Sequence, residues 1–143
     1  MDPLHGYYLE DLEVGMSDSF AKTISEADVY GFAGISGDTN PVHINDEYAK
    51  TTMFGQRIAH GMLSGALIST VAGTKLPGPG AIYVDQTLKF KAPLFIGQTA
   101  RAEIVVTAID ERRRRVSCDT HVWVGDKQIA TGTATFMVDK RPA

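Results

Sequence analysis

The residues best suited to chemistry lie in one short segment, residues 37–43, which reads Gly-Asp-Thr-Asn-Pro-Val-His. Asp38 and His43 supply a carboxylate and an imidazole. Two such groups that face a partly dry cleft can act as a general acid and a general base, because burial and each other's charge tune their pKa values. The alternative interpretation is a plain turn, in which the aspartate caps the loop and the histidine lies on the surface.

The same segment is predicted to be rigid. Pro41 fixes its own φ angle and disfavours helical backbone at the residue before it, and the preceding residues are turn formers. Apolar side chains, Val42 and Ile44, flank His43, so the imidazole is expected to point out of a wall that is otherwise buried. We therefore expect an ordered loop over residues 37–43, and no helix.

A second candidate feature is the start of the longest predicted helix, which begins in Ile58-Ala59-His60-Gly61-Met62 and ends before the loop over residues 73–80. This helix is apolar almost all round, which is typical of a helix in a core wrapped by a larger element. Gly61 lets a ligand approach a free backbone N–H at the positive end of the helix, which would suit an oxyanion. Alternatively, the glycine is there for backbone reasons alone.

Shorter helices are predicted before it. Ser25 has the properties of an N-cap and Asp28 those of its capping-box acid, so a helix should begin there and run toward Gly34. It would deliver the chain directly into the 37–43 segment. Residues 46–50 indicate another helical turn, whereas the first 20 residues show no sustained periodicity.

From Ala81 the hydrophobic period changes to two, which indicates strands. Four strands joined by short turns are predicted, over residues 82–91, 101–106, 116–124 and 130–136. Helices followed by such a meander predict an α+β fold in which an antiparallel sheet wraps around a buried helix.

Composition narrows the class of protein. Hydrophobic residues make up 43% and charged residues 22% of 143 residues, as in a globular protein, so one domain over residues 1–143 is predicted. The formal net charge of −3 argues against a nucleic-acid binder.

Cys118 is the single cysteine, which excludes an internal disulfide and a cysteine-based zinc site. Without a signal segment or a long apolar span, a cytoplasmic protein with no membrane partner is expected.

Three motifs in order resemble one known family. They are the 37–43 segment, Ile58-Ala59-His60-Gly61-Met62, and Phe90-Lys91-Ala92-Pro93-Leu94 followed by Gly97. Together they resemble the (R)-specific enoyl-CoA hydratases, also called MaoC-like dehydratases, over nearly the whole chain.

This resemblance implies a hot dog fold, a homodimer or higher homo-oligomer, and active-site tunnels at the dimer interface. It assigns the catalytic pair to Asp38 and His43, the thioester-binding N–H to Gly61, and a hydrogen-bonding serine near the pair to Ser69. A helical serine bonded to its own backbone is the alternative for Ser69. Asn40 would order the loop.

The implied reaction is the reversible hydration of a trans-2-enoyl-CoA to an (R)-3-hydroxyacyl-CoA, as in fatty acid and polyhydroxyalkanoate metabolism. No metal or cofactor is expected, since coenzyme A is part of the substrate. Its phosphates could meet Arg57, Lys89 or Lys91, and the acyl tail could run along the helix near Leu67 and Ala72. The alternatives are a dehydratase for acyl-carrier-protein, branched or dicarboxylic thioesters, a hot dog thioesterase, and a non-catalytic acyl-binding subunit.

Overall fold

The structure is a computed structural model that describes residues 2–143. A short 3-10 helix (Leu9–Asp11) precedes the regular elements of the chain. The elements are, in order, β1 (Ser17–Thr23), α1 (Glu26–Ser36), α2 (Pro41–Ile44), α3 (Asp46–Lys50), α4 (Gly61–Thr74), β2 (Ile82–Gln86), β3 (Lys89–Phe90), β4 (Thr99–Asp110), β5 (Arg115–Val124) and β6 (Lys127–Met137).

The strands form one antiparallel sheet in the order β1-β4-β5-β6-β2, and β3 also pairs with β6. Alternate side chains of the three long strands point to one face, where they are buried, as period-two alternation requires. That face covers α4, whose Leu67, Ile68 and Val71 lie in the same core. The prediction of an antiparallel sheet wrapped around a long central helix is therefore confirmed.

The predicted four strands become six in the residues that the structure describes. β1 was missed, because its buried fraction is modest and its residues do not alternate cleanly. The strand predicted over 82–91 is interrupted at Thr87, whose carbonyl oxygen occupies the space that a Cβ at Gly132 would need. There the side-chain amide of Gln86 turns to donate to the buried hydroxyl of Thr120, at 2.9 Å.

The predicted loop over residues 37–43 is confirmed only in its first half. Pro41 begins a single helical turn, α2, and so the expectation of no helix is wrong from that residue on. The physical reason is that proline is well tolerated at the first helical position, where its missing N–H costs nothing. The Asn40 side chain caps the turn by accepting from the Val42 N–H at 3.2 Å.

The other predicted elements agree with the structure. Ser25 caps α1 in a reciprocal capping box with Asp28, α3 covers residues 46–50, and a hairpin turn lies at residues 125–126. Cys118 is a core thiol, and burial raises its pKa to about 12. Over residues 2–143, none of the helices has the length and apolarity needed to cross a membrane.

Candidate active site

Asp38 lies where α1 ends and the chain turns toward α2. The helix stops at Gly37, whose φ of 77° suits glycine. The Ser36 hydroxyl then accepts from the Asp38 N–H at 3.1 Å, and the Asp38 carboxylate accepts from the Asn40 N–H at 3.1 Å. The carboxylate is exposed in the single chain, and the Asn40 side chain caps α2.

His43 lies in α2 and is only 7% exposed. Its Nδ1 is 2.7 Å from the carbonyl oxygen of Ile58. A carbonyl oxygen can only accept, so Nδ1 carries the proton, and in the neutral ring Nε2 is a free acceptor. Burial lowers the pKa of His43 and the nearby His60 adds to this, while the Ile58 bond and Asp38 oppose it. The imidazole is therefore neutral near pH 7 and can accept a proton.

His60 is the residue of this site that the sequence interpretation missed. It is 2% exposed, and its Nε2–H donates to the backbone carbonyl of Asp38 at 2.9 Å. Its ring stacks on His43 with centroids 3.8 Å apart, and Phe32 packs on it at 4.8 Å. The signal available in the sequence is its place directly before Gly61, at the N-cap of α4.

Asp38, His43 and His60 are also the set that could contact one metal ion, since one ligand atom of each lies within 4.8 Å of the others. Imidazoles bind metals in the plane of the ring. The two rings are stacked with an interplanar angle of 28°, so their nitrogens lie side by side rather than aimed at a common point. His60 Nε2 is already bonded to Asp38. This geometry suits proton transfer better than metal binding.

A cleft of about 350 Å³ opens beside the start of α4. His60, Gly61 and Ser64 form one wall, and the segment from Phe90 to Leu94 forms the other. Gly61 is the first residue of α4, so its N–H is not used within the helix. A Cβ added to Gly61 would lie 3.2 Å from the Phe90 ring, so the cleft is narrow there. His60 lines this cleft and stacks on His43, whereas Asp38 and His43 themselves are not among its lining residues in the single chain.

The structure does not bring Ser69 to the pair within one chain. Ser69 is exposed, whereas Ser64 is 4% exposed and lines the cleft. The two serines are five residues apart, which places them about 140° apart around a helix with 3.6 residues per turn. Ser64 is thus the helix serine beside Gly61, and the role predicted for Ser69 stays a prediction.

The three residues suggested for the phosphates of coenzyme A differ in their exposure and in their contacts. Arg57 is 8% exposed, and each of its three guanidinium nitrogens already bonds a side chain of this protein. Lys91 lines the cleft with its Nζ 2.8 Å from the Gln128 Oε1, and Lys89 is exposed on β3.

The two helix residues suggested for the acyl tail are both buried, Leu67 at 5% and Ala72 at 3% exposed. Leu67 lines a second, apolar cleft of about 320 Å³ between α1 and α4, together with Phe32 and Leu63.

Comparison with known proteins decides the family. Residues 13–128 match the model of the MaoC like domain. The chain belongs to the MaoC-like dehydratase family. An (R)-specific enoyl-CoA hydratase of Rhodospirillum rubrum is 54% identical, over 98% of this chain and 97% of its own length. A 3-hydroxybutyryl-CoA dehydratase of Methylorubrum extorquens is 46% identical, over 94% of this chain and 85% of its own.

Two solved hydratase structures have the same fold as this chain. An R-hydratase from Pseudomonas aeruginosa in the unliganded form superposes with a TM-score of 0.89 and is 44% identical, covering 94% of this chain and 86% of its own. The (R)-hydratase of Aeromonas caviae involved in PHA biosynthesis gives a TM-score of 0.86 at 39% identity, covering 93% and 99%. These likenesses confirm the predicted family, the hot dog fold and the hydro-lyase class.

Proposed function

We propose that this MaoC-like protein reversibly hydrates trans-2-enoyl-CoA thioesters to (R)-3-hydroxyacyl-CoA. The observation that carries the proposal is the buried, neutral His43 beside Asp38, with Nδ1–H held by a carbonyl and Nε2 free to accept a proton. The names of the related hydratases and of the related dehydratase support the substrate class.

The substrate would bind with its thioester oxygen on the Gly61 N–H. This donor lies at the positive end of α4, where backbone N–H groups have no partner within the helix. Negative charge develops on that oxygen when a nucleophile adds at C3. A donor placed there stabilises the developing enolate, and one such donor is typically worth roughly 3 kcal/mol.

The proton transfers would pass through His43. Its Nε2 removes a proton from a water molecule as the water oxygen bonds to C3, and the π electrons of the double bond move to the thioester oxygen. The imidazolium then returns a proton to C2 on the same face, and the enolate collapses to the thioester. The Asp38 carboxylate would hold the second hydrogen of the water and stabilise the imidazolium. Dehydration is the reverse sequence.

A second copy of the chain would complete the site. Asp38 is exposed in the single chain, whereas a pair with tuned proton affinities requires exclusion of water. β2 lies at one edge of the sheet and carries exposed apolar side chains, Ile82 at 53% and Val84 at 49%. Pairing of two such edges in a homodimer would cover these side chains.

The catalytic roles are tested with crotonyl-CoA, by following the loss of its conjugated enoyl absorbance. We expect Asp38→Asn and His43→Gln each to lower kcat by roughly 10²- to 10⁴-fold, because each removes a proton-transfer group. Asp126→Asn, in the β5–β6 turn, and His121→Gln, on the outer face of the sheet, are the matched controls and should keep full activity. Near-wild-type turnover in a folded Asp38 or His43 variant would remove the proposed chemistry.

A further inference from the structure

Arg57 directly precedes Ile58, whose carbonyl oxygen bonds His43, and the Arg57 side chain makes several polar contacts. Its guanidinium is 8% exposed and forms three bonds: Nη2 to the Glu26 carboxylate, Nη1 to the Tyr30 hydroxyl at 3.0 Å, and Nε to the Asp46 carboxylate at 2.6 Å. The guanidinium carbon also lies 5.6 Å from the centre of the Tyr30 ring. Each of the three guanidinium nitrogens therefore has one side-chain partner.

These partners belong to the two helices that enclose the catalytic segment. Glu26 and Tyr30 lie in α1, which delivers the chain to Asp38. Asp46 is the first residue of α3, which begins two residues after α2 ends. Arg57 thus ties the helix before the pair to the helix after it.

The neighbouring residue completes the connection. The Ile58 carbonyl accepts from His43 Nδ1 at 2.7 Å, and the Ile58 N–H donates to the carbonyl of Val42 at 3.2 Å. A displacement of Arg57 would move the backbone that sets the tautomer of His43. Displacements of about 1 Å at a catalytic group can cost on the order of 100-fold in rate.

We propose that Arg57 is a positioning residue for Asp38 and His43. Its three side-chain bonds fix α1 and α3 against residues 57–58. The Ile58 carbonyl is thereby placed to hold His43 Nδ1, which leaves Nε2 free. The proposal rests on the function proposed above only in taking His43 as the group that accepts the proton. Lysine cannot replace the arginine here, because an ammonium group is a point charge without a planar fork.

A purely structural role is the competing interpretation, because removing one partner of a buried ion pair destabilises a fold in any case. Glu26 and Asp46 are 58% and 69% exposed at their side chains, so they stay solvated when the arginine is lost. Each single substitution on the acidic side leaves the buried guanidinium its other carboxylate, so neither variant leaves that charge unpaired. Glu26→Ala cuts the bond to α1 and Asp46→Ala cuts the bond to α3.

The experiment compares Arg57→Lys, Arg57→Met, Glu26→Ala and Asp46→Ala with the wild type. Arg141→Met is the matched control, because it removes an arginine–carboxylate pair, to Asp11, that lies outside the site. Three quantities are measured: kcat and KM on crotonyl-CoA, the melting temperature, and the tautomer of His43 by ¹⁵N NMR of the imidazole nitrogens.

We expect kcat to fall roughly 10- to 100-fold in both Arg57 variants, with a smaller fall in the Glu26 and Asp46 variants and little change in KM. The His43 signal should change from one Nδ1–H tautomer to a mixture. Arg141→Met should alter neither kcat nor the tautomer, although it can lower the melting temperature.

The pH dependence of kcat distinguishes the two interpretations, because a loss of stability alone would not shift it. The titratable groups that face His43 are Asp38 and His60, and both remain in every variant. The Ile58 hydrogen bond raises the pKa of His43, so its loss lowers that pKa further. Because the reaction needs neutral His43, the acidic limb of kcat should shift to lower pH.

A folded Glu26 or Asp46 variant, or a folded Arg57 variant, with the wild-type tautomer and an unshifted acidic limb would overturn the proposal. So would a loss of activity that only follows the folded fraction. The NMR measurement needs no substrate, so it tests Arg57 even if the wild type does not hydrate crotonyl-CoA. Inactivity of the wild type with the tautomer changed in the variants would contradict the proposed function and leave the role of Arg57 supported.

Discussion

At the scale of single residues, the site is set by backbone carbonyls as much as by side chains. The carbonyl of Ile58 fixes the tautomer of His43, and the carbonyl of Asp38 accepts from His60. Residue types and spacing in the sequence identify the carboxylate and the imidazole. They do not identify these acceptors, because each acts across a tertiary contact, 15 or 22 residues away along the chain.

The N–H of Gly61 provides a sharp test at this scale. Gly61→Pro removes the donor but keeps the helix, because proline is favoured at the first helical position. His60 already has the extended conformation that a residue before proline requires, with φ −58° and ψ 137°. We expect kcat on crotonyl-CoA to fall roughly 10²- to 10³-fold, the usual cost of losing one oxyanion donor.

Gly61→Ala is the control for this variant, since it keeps the N–H. Its Cβ would lie 3.2 Å from the Phe90 ring, a flexible side chain that can shift. The alanine variant should therefore raise KM more than it lowers kcat. Equal kcat values for the proline and alanine variants would contradict a role for this N–H.

At the scale of elements, the sequence predicts the helices well where a local cap defines them. Ser25 and Asp28 form the capping box that their types suggest. The prediction at Pro41 was wrong because proline has two opposite effects. It breaks a helix when it lies in the interior, but it is favoured at the first helical position. Deciding between these roles needed the Asn40 cap, which is seen only in the structure.

Strands were harder to predict where the pattern was not local. β1 pairs with β4 across about 80 residues of sequence, and its burial depends on that partner rather than on its own alternation. The interruption at Thr87 likewise depends on Gly132, a glycine in another strand.

The edge strand β2 carries a prediction about assembly. We expect Val84→Lys to convert the proposed homodimer to monomers, because it places a charge among apolar side chains that a partner edge would cover. Sedimentation velocity measures the change. Val14→Lys is the control, since Val14 is 65% exposed and lies outside the sheet. An unchanged sedimentation coefficient for the Val84 variant would contradict pairing through β2.

At the scale of the whole molecule, the order of helices and strands was sufficient to predict the architecture. A very apolar helix followed by a late meander has few solutions other than a sheet wrapped around that helix. The motifs identify Asp38, His43 and Gly61 as candidates for the site, and their catalytic roles stay predictions. The contacts of His60 and Arg57 could not be predicted from the sequence, because they depend on which elements the fold brings together.

The proposed function requires this protein to add water to a trans-2-enoyl thioester with one stereochemical outcome. The most direct measurement is to incubate the wild-type protein with crotonyl-CoA and to assay the product with dehydrogenases specific for each 3-hydroxybutyryl-CoA enantiomer. We expect loss of the enoyl absorbance and a product oxidised only by the (R)-specific enzyme. An (S) or racemic product, or no hydration of crotonyl-CoA and of longer enoyl thioesters, would contradict it.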